Sequence, residues 1–151
     1  MYEPIRTKSV HTMAAAPQIP HRSREEELQI RLAGQLTALL TVTDELHALA
    51  ERAGSARARE LDAAALATAA DRIAEQVARL SGGHYPLRAE PTDGGAASRV
   101  EALQQRARAL AGNALAVATS RDDAAAMTLA AERLAAHSEP LPGLASASMA
   151  G

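Results

Sequence analysis

The chain has 151 residues and a formal charge of −2, with 47% hydrophobic but only 1% aromatic residues and no Cys, Trp or Phe. Such a composition excludes a disulfide, a thiolate nucleophile, an iron–sulfur cluster and a cysteine-type zinc site, and nearly excludes a base-stacking platform, for which only Tyr2 and Tyr85 remain. Alanine fills 38 positions, so a fold the size of one ordinary domain must be built from small side chains and a limited set of larger aliphatic ones.

Residues 1–22 read as a flexible basic arm. Pro4, Pro17 and Pro20 interrupt a stretch without hydrophobic periodicity, and such a stretch has no face to bury. Arg6, Lys8, Arg22 and Arg24 against Glu3 give residues 1–24 a net charge of +3 and leave −5 for the remainder. Tyr2, Ile5, Arg6, Lys8, Val10 and His11 combine apolar and basic character, which makes the arm a candidate segment for docking on a partner. No run in the arm is apolar enough for a signal-peptide core, and none in the chain approaches the ~20 residues of a membrane span, so no membrane association and a cytoplasmic location are expected.

Residues 23–137 are predicted to form an all-α domain, either a four-helix bundle or two αα-hairpins. Three starts share one signature, a serine three residues before an acid: Ser23 with Glu26, Ser98 with Glu101, and Ser120 with Asp123. In each the hydroxyl can accept an orphan backbone N–H while the acid reaches back to the serine. Ser55 offers a fourth start, and Gly54 and Gly82-Gly83 offer left-handed stops. Helix one carries Leu28, Leu32, Leu36, Leu39, Val42, Leu46 and Leu49 at spacings of four and three, a single apolar stripe. Helix two, about residues 56–81, offers Leu61, Leu66, Ile73, Val77 and Leu80. The third alternates three and four through Val100, Leu103, Ala107, Leu110, Ala114 and Val117, and the fourth, about residues 121–137, has Met127, Ala130 and Leu134 in line with Leu129 off it. His137 is expected at its C-terminus as a favourable cation against the dipole.

An offset of 61 residues superposes Asp62-Ala63-Ala64-Ala65-Leu66 on Asp123-Ala124-Ala125-Ala126-Met127, and Leu39, Val42, Leu46 and Leu49 on Val100, Leu103, Ala107 and Leu110. A duplicated αα-hairpin would produce this pattern. Alanine-rich amphipathic helices also match one another by composition, and both explanations stay open. The hairpins are joined by an 81–98 loop, and residues 138–151, with Pro140, Pro142 and Gly143, read as a disordered tail.

Candidate chemistry is sparse. Asp44, His47 and Glu51 share one helix face and could offer a metal three ligands, but a ferritin-like centre needs two Glu-x-x-His motifs and two further carboxylates, and here a single Asp-x-x-His occurs. A solvated polar flank explains the three more simply, and no cofactor is expected. His84, Tyr85 and Arg88 gather in the inter-hairpin loop, where a ligand role competes with a simpler one in which Tyr85 and Leu87 cover an open end of the bundle. Arg52, Arg57, Arg59, Arg99, Arg106 and Arg108 stand among acids and read as a salt-bridged face.

No nucleophile with a base and no paired acid and base can be nominated, so no enzymatic role is expected. The sequence is read as a non-catalytic interaction, scaffold or regulatory protein that binds a protein partner or itself through alanine-lined helix faces. A homodimer is expected because a core of small side chains gains from association. The alternative is a small-molecule or metal-binding bundle, and nucleic-acid binding through the arm and the arginines is weaker still.

Overall fold

The computed structural model describes residues 22–91 and 97–138, the side chains of residues 97 and 98 excepted, and contains helices and no strand among them. In chain order they are α1 (Arg24–Arg52), α2 (Ala56–Arg59), α3 (Ala63–Leu80), α4 (Ala97–Arg121) and α5 (Ala124–Ser138). The all-α bundle expected from periodicity is therefore the architecture. The basic arm 1–21 and the tail from residue 139 lie outside the described residues.

Helix α1 starts as expected. Ser23 Oγ accepts the Glu26 N–H at 3.1 Å while Glu26 Oε1 accepts the Ser23 N–H at 2.9 Å, closing the capping box. The stripe Leu28, Leu32, Leu36, Leu39, Val42, Leu46 and Leu49 is buried throughout. Thr43 joins it, because its hydroxyl donates to Leu39 O at 2.7 Å and so leaves no polar group unpaired. The stop differs from expectation: Ala53, not Gly54, takes the left-handed conformation, with φ of 48°.

Other boundaries also move. The predicted second helix is two elements, since Ser55 caps only the single turn of α2 and α3 starts afresh where Asp62 accepts the Ala65 N–H at 3.0 Å. Ser120 is not a cap. Helix α4 runs through it to Arg121, Asp122 turns left-handed with φ of 59°, and Asp123 starts α5 by accepting the Ala126 N–H at 3.1 Å. Aspartate wins at both starts because its carboxylate caps N–H groups at the positive end of the dipole. Gly82 and Gly83 do end α3, with φ of 70° and 94°, and Gly83 N–H reaches back to Ala78 O. The Ser98 side chain lies outside the described ones.

Neighbouring helices are antiparallel. Gln29 near the start of α1 donates to Leu80 O at the end of α3, Arg99 and Arg121 at opposite ends of α4 pair with Glu45 and Glu25 of α1, and His137 of α5 meets Gln104 of α4. The rim between α3 and α5 is tied by Arg72–Glu132 at 2.9 Å and Arg79–Asp123 at 2.9 Å. The pairs α1/α5 and α3/α4 lie on the diagonals. Since α3 and α4 thus run the same way, their connection must travel the length of the bundle, a single crossover of the kind four-helix bundles use.

The two hairpins fill their seams differently. Leucine dominates the seam of α1 and large aliphatics share that of α3 equally with alanine, whereas the second hairpin buries Ala107, Ala111, Ala114, Ala118, Ala126 and Ala130 completely. The predicted α4 line drifts after Ala107, leaving Leu110 and Val117 half-buried, and in α5 the buried residues are Ala126, Leu129, Ala130 and His137 while Met127 and Leu134 pack at the flank. Small side chains go inside because they let helix axes approach closely. The 61-residue offset holds for the capping aspartates Asp62 and Asp123, but burial repeats at 60, matching Leu66 with Ala126, Ala70 with Ala130 and Val77 with His137. Helix α5 is accordingly turned by one residue, about 100°, relative to α3.

Candidate interaction site

The crossover leaves α3 at Gly82-Gly83 and runs through His84-Tyr85-Pro86-Leu87-Arg88 without regular structure. Leu80 lies level with Gln29 of α1, and Arg88 lies level with Asp44. Those α1 positions are about 22 Å apart at 1.5 Å per residue, a span covered after the turn at Gly82-Gly83 with the long Arg88 side chain as part of the reach. The segment is a strap along the α1/α3 side of the bundle.

One side chain fixes it. Arg88 donates from Nη2 to Asp44 Oδ1 at 2.6 Å and from Nε to Asp44 Oδ2 at 3.1 Å, a two-pronged clamp on α1, and from Nη1 to Asp71 Oδ1 of α3 at 3.3 Å. The hydrogen bonds to Asp44 raise the guanidinium pKa against an opposing effect of burial. A planar fork is suited to this double grip, and a lysine could not reproduce it.

The clamp leaves two large side chains in solvent. Leu87 is 99% exposed and Tyr85 is 65% exposed, and with Ile30 of α1 they are the large hydrophobic residues displayed among the described ones. The expectation that Tyr85 and Leu87 cover an open bundle end is therefore corrected: a connection that must run the bundle's length passes along its side. His84, the third residue singled out in this loop, is exposed as well.

The metal candidates are not brought together. Asp44 is engaged by Arg88, His47 Nε2 lies 3.7 Å from Glu51 Oε2, and no group of three or more metal-binding side chains converges among the described residues. The arm candidates Tyr2, Ile5, Arg6, Lys8, Val10 and His11 lie outside the described residues. Of the arginines, Arg57 pairs with Glu60 and Glu101, and Arg99 pairs with Glu45. Clefts of about 260 and 320 Å³ beside the first turns of α1 are open and lined by Arg22, Glu26, Gln29 and Ile30 and by Arg22, Arg24, Glu27, Leu28 and Arg31 respectively.

A polar cluster inside the second hairpin was missed from the sequence. His137 is 4% exposed, with Nδ1 2.6 Å from Gln104 Oε1 of α4 and Nε2 3.2 Å from Arg133 Nη2. Since the amide oxygen accepts and the guanidinium donates, the ring is neutral, protonated at Nδ1 and accepting at Nε2. Burial, aided by the charge of Arg133, pushes its pKa down to about 4. The expected cationic cap of the fourth helix is thus corrected to an uncharged core residue. Burial and the neighbouring Arg72 also lower the pKa of Arg133. The available signal was the line Ala126, Ala130, Arg133, His137 at spacings of four, three and four, which alanine made indistinguishable from the Met127 line.

Compared with protein-family models, curated proteins and solved structures, the chain matches none.

Proposed function

We propose that this protein is a non-catalytic interaction module whose bundle holds the strap 84–91 out for a partner protein. The carrying observation is Leu87, 99% exposed beside a 65% exposed Tyr85 on a segment gripped at Arg88 by two helices. Exposed large apolar groups carry a hydration cost that a binding partner relieves, and aromatic anchors recur at interaction hot spots. The clamp strengthens the reading, because a segment held in place before binding loses less conformational entropy on docking. The alanine faces expected to recruit a partner are spent within the bundle, where Ala107, Ala111, Ala114, Ala118, Ala126 and Ala130 are wholly buried. Self-association is retained as the version in which the partner is a second copy.

Affinity capture from cells that express the protein, with wild type beside the double variant Tyr85→Ser, Leu87→Ser, tests the proposal. Loss of specific co-purifying proteins in the variant, or conversion of a wild-type dimer to a monomer by light scattering, is the expected result. Identical co-purifying proteins and identical mass for both would contradict it. Their melting temperatures should agree closely, since neither side chain is buried.

A further inference from the structure

The cluster at the end of α5 is a device that nothing in the interaction reading uses. His137 joins α5 to α4 through Gln104 and braces Arg133 from its other ring nitrogen. We propose that the last turns of α5 form an acid-released latch, in which protonation of His137 at Nε2 removes the acceptor for Arg133 and drives this segment off α4. The geometry leaves the added proton no partner. Helix α4 presents the uncharged Gln104, α5 presents the cation Arg133, and α3 brings a second cation, Arg72, near Arg133. The carboxylate of Glu132, which acts on Arg133, is held by Arg72 at 2.9 Å. A charged imidazole would therefore face the guanidinium of Arg133, itself beside Arg72, in a site from which solvent is nearly excluded.

The direction follows from proton linkage. In the open segment the ring is solvated and takes a proton near the ordinary value of about 6.5, whereas in the closed state it does so only at about 4. Between those limits the open state binds more protons, so each step down in pH favours opening. Comparing pH 7 with pH 5, the two values give an increase of about 20-fold in the open population.

Native-state amide exchange, corrected for the intrinsic pH dependence of the exchange chemistry, reads this directly. Protection of the Arg133–His137 amides should fall about 20-fold from pH 7 to pH 5, while the core of α1 around Leu36–Leu46 keeps its protection. In His137→Gln, a neutral amide at every pH, the fall should vanish. An equal fall in that variant, no fall in the wild type, or an equal fall in α1 would overturn the latch. Should His137→Gln not fold, nitrogen shifts of the wild-type imidazole decide the matter. Titration near 4 from an Nδ1-protonated ring supports the proposal, and titration near 6.5 overturns it.

Discussion

The first hairpin buries mainly leucines, most of them from α1, and the second mainly alanines, and the two respond to opposite insults. In α1 and α3 large branched chains such as Leu36, Leu46 and Ile73 fill the space between helices, so the danger is a hole. In α4 and α5 alanines such as Ala111, Ala114 and Ala130 are wholly buried, so a larger side chain there must displace its neighbours and the danger is excess volume. The second hairpin also admits a buried His137 that the first replaces with Val77. One bundle therefore combines a half stabilised by burial of large apolar side chains with a half stabilised by close approach and sensitive to protonation.

The sharpest way to break this comparison is to exchange the insults. Leu36→Ala should cost about 2–5 kcal/mol through lost transfer energy and a cavity, read as a fall in the denaturation midpoint. Ala114→Leu should cost about 1–3 kcal/mol by overpacking, whereas Ala114→Gly should cost only about 1 kcal/mol through helix propensity. If Ala114→Leu were neutral, the close approach of α4 to its neighbours would be wrong.

What could be read in advance follows the same division. Leucine declares its face, so the seven-residue stripe of α1 was legible and every member is buried. Alanine does not, because it fits equally inside and outside, so the expected lines hold at Val100, Leu103, Ala107, Ala114 and Ala130 but fall one step off the buried seam at Leu110 and Val117 in α4 and at Met127 and Leu134 in α5. Helix starts were legible where a serine had an acid to reach it, as at Ser23, and misread where an aspartate two or three residues beyond an apparent start could take the role, as at Asp123. The strap's length was visible between Leu80 and Ala97, but not its path. That path depends on α3 and α4 running parallel, a tertiary fact that no local spacing encodes. Hence the sequence presents Arg88 only as a loop cation, and its grip on Asp44 emerges from the fold.

Proton linkage should cost the whole protein about 2 kcal/mol between pH 7 and pH 5 through His137. The sign is fixed by a folded-state value of about 4 below an unfolded value of about 6.5: the unfolded chain gains the proton first, so stability is full above 6.5 and declines as pH falls toward 4. Denaturant titrations of wild type and His137→Gln at both pH values check this, and equal losses in the two would assign the effect elsewhere.

The capping aspartates sharpen the comparison at a smaller scale. Asp62→Ala should cost about 1 kcal/mol, the usual worth of an N-cap. Asp123→Ala should cost more, because that carboxylate also holds Arg79 across the rim. Burial acts to raise the pKa of Asp123, yet the hydrogen bonds of Arg79 and Ala126 hold it below its ordinary range. A larger loss for Asp62→Ala than for Asp123→Ala would remove the α3/α5 rim from the account.

Smallest in energy is the strap. Arg88→Ala should change stability by no more than about 1 kcal/mol, since the ion pairs are partly exposed. It should nevertheless increase proteolytic cleavage within residues 82–91, because the same clamp holds the backbone in place. Unchanged cleavage kinetics would mean that the strap holds its path without Arg88.

The most direct test of the interaction reading places a photo-reactive amino acid at position 87 and, in a second sample, at the exposed helical position 75. On illumination in cells that express the protein, residue 87 should yield a discrete cross-linked protein, either a foreign chain or a second copy, and residue 75 should yield none. Arg88→Ala should weaken the adduct at 87 by loosening the strap. No adduct at 87, or the same adduct from both positions, would contradict the claim that the strap is where this protein meets its partner.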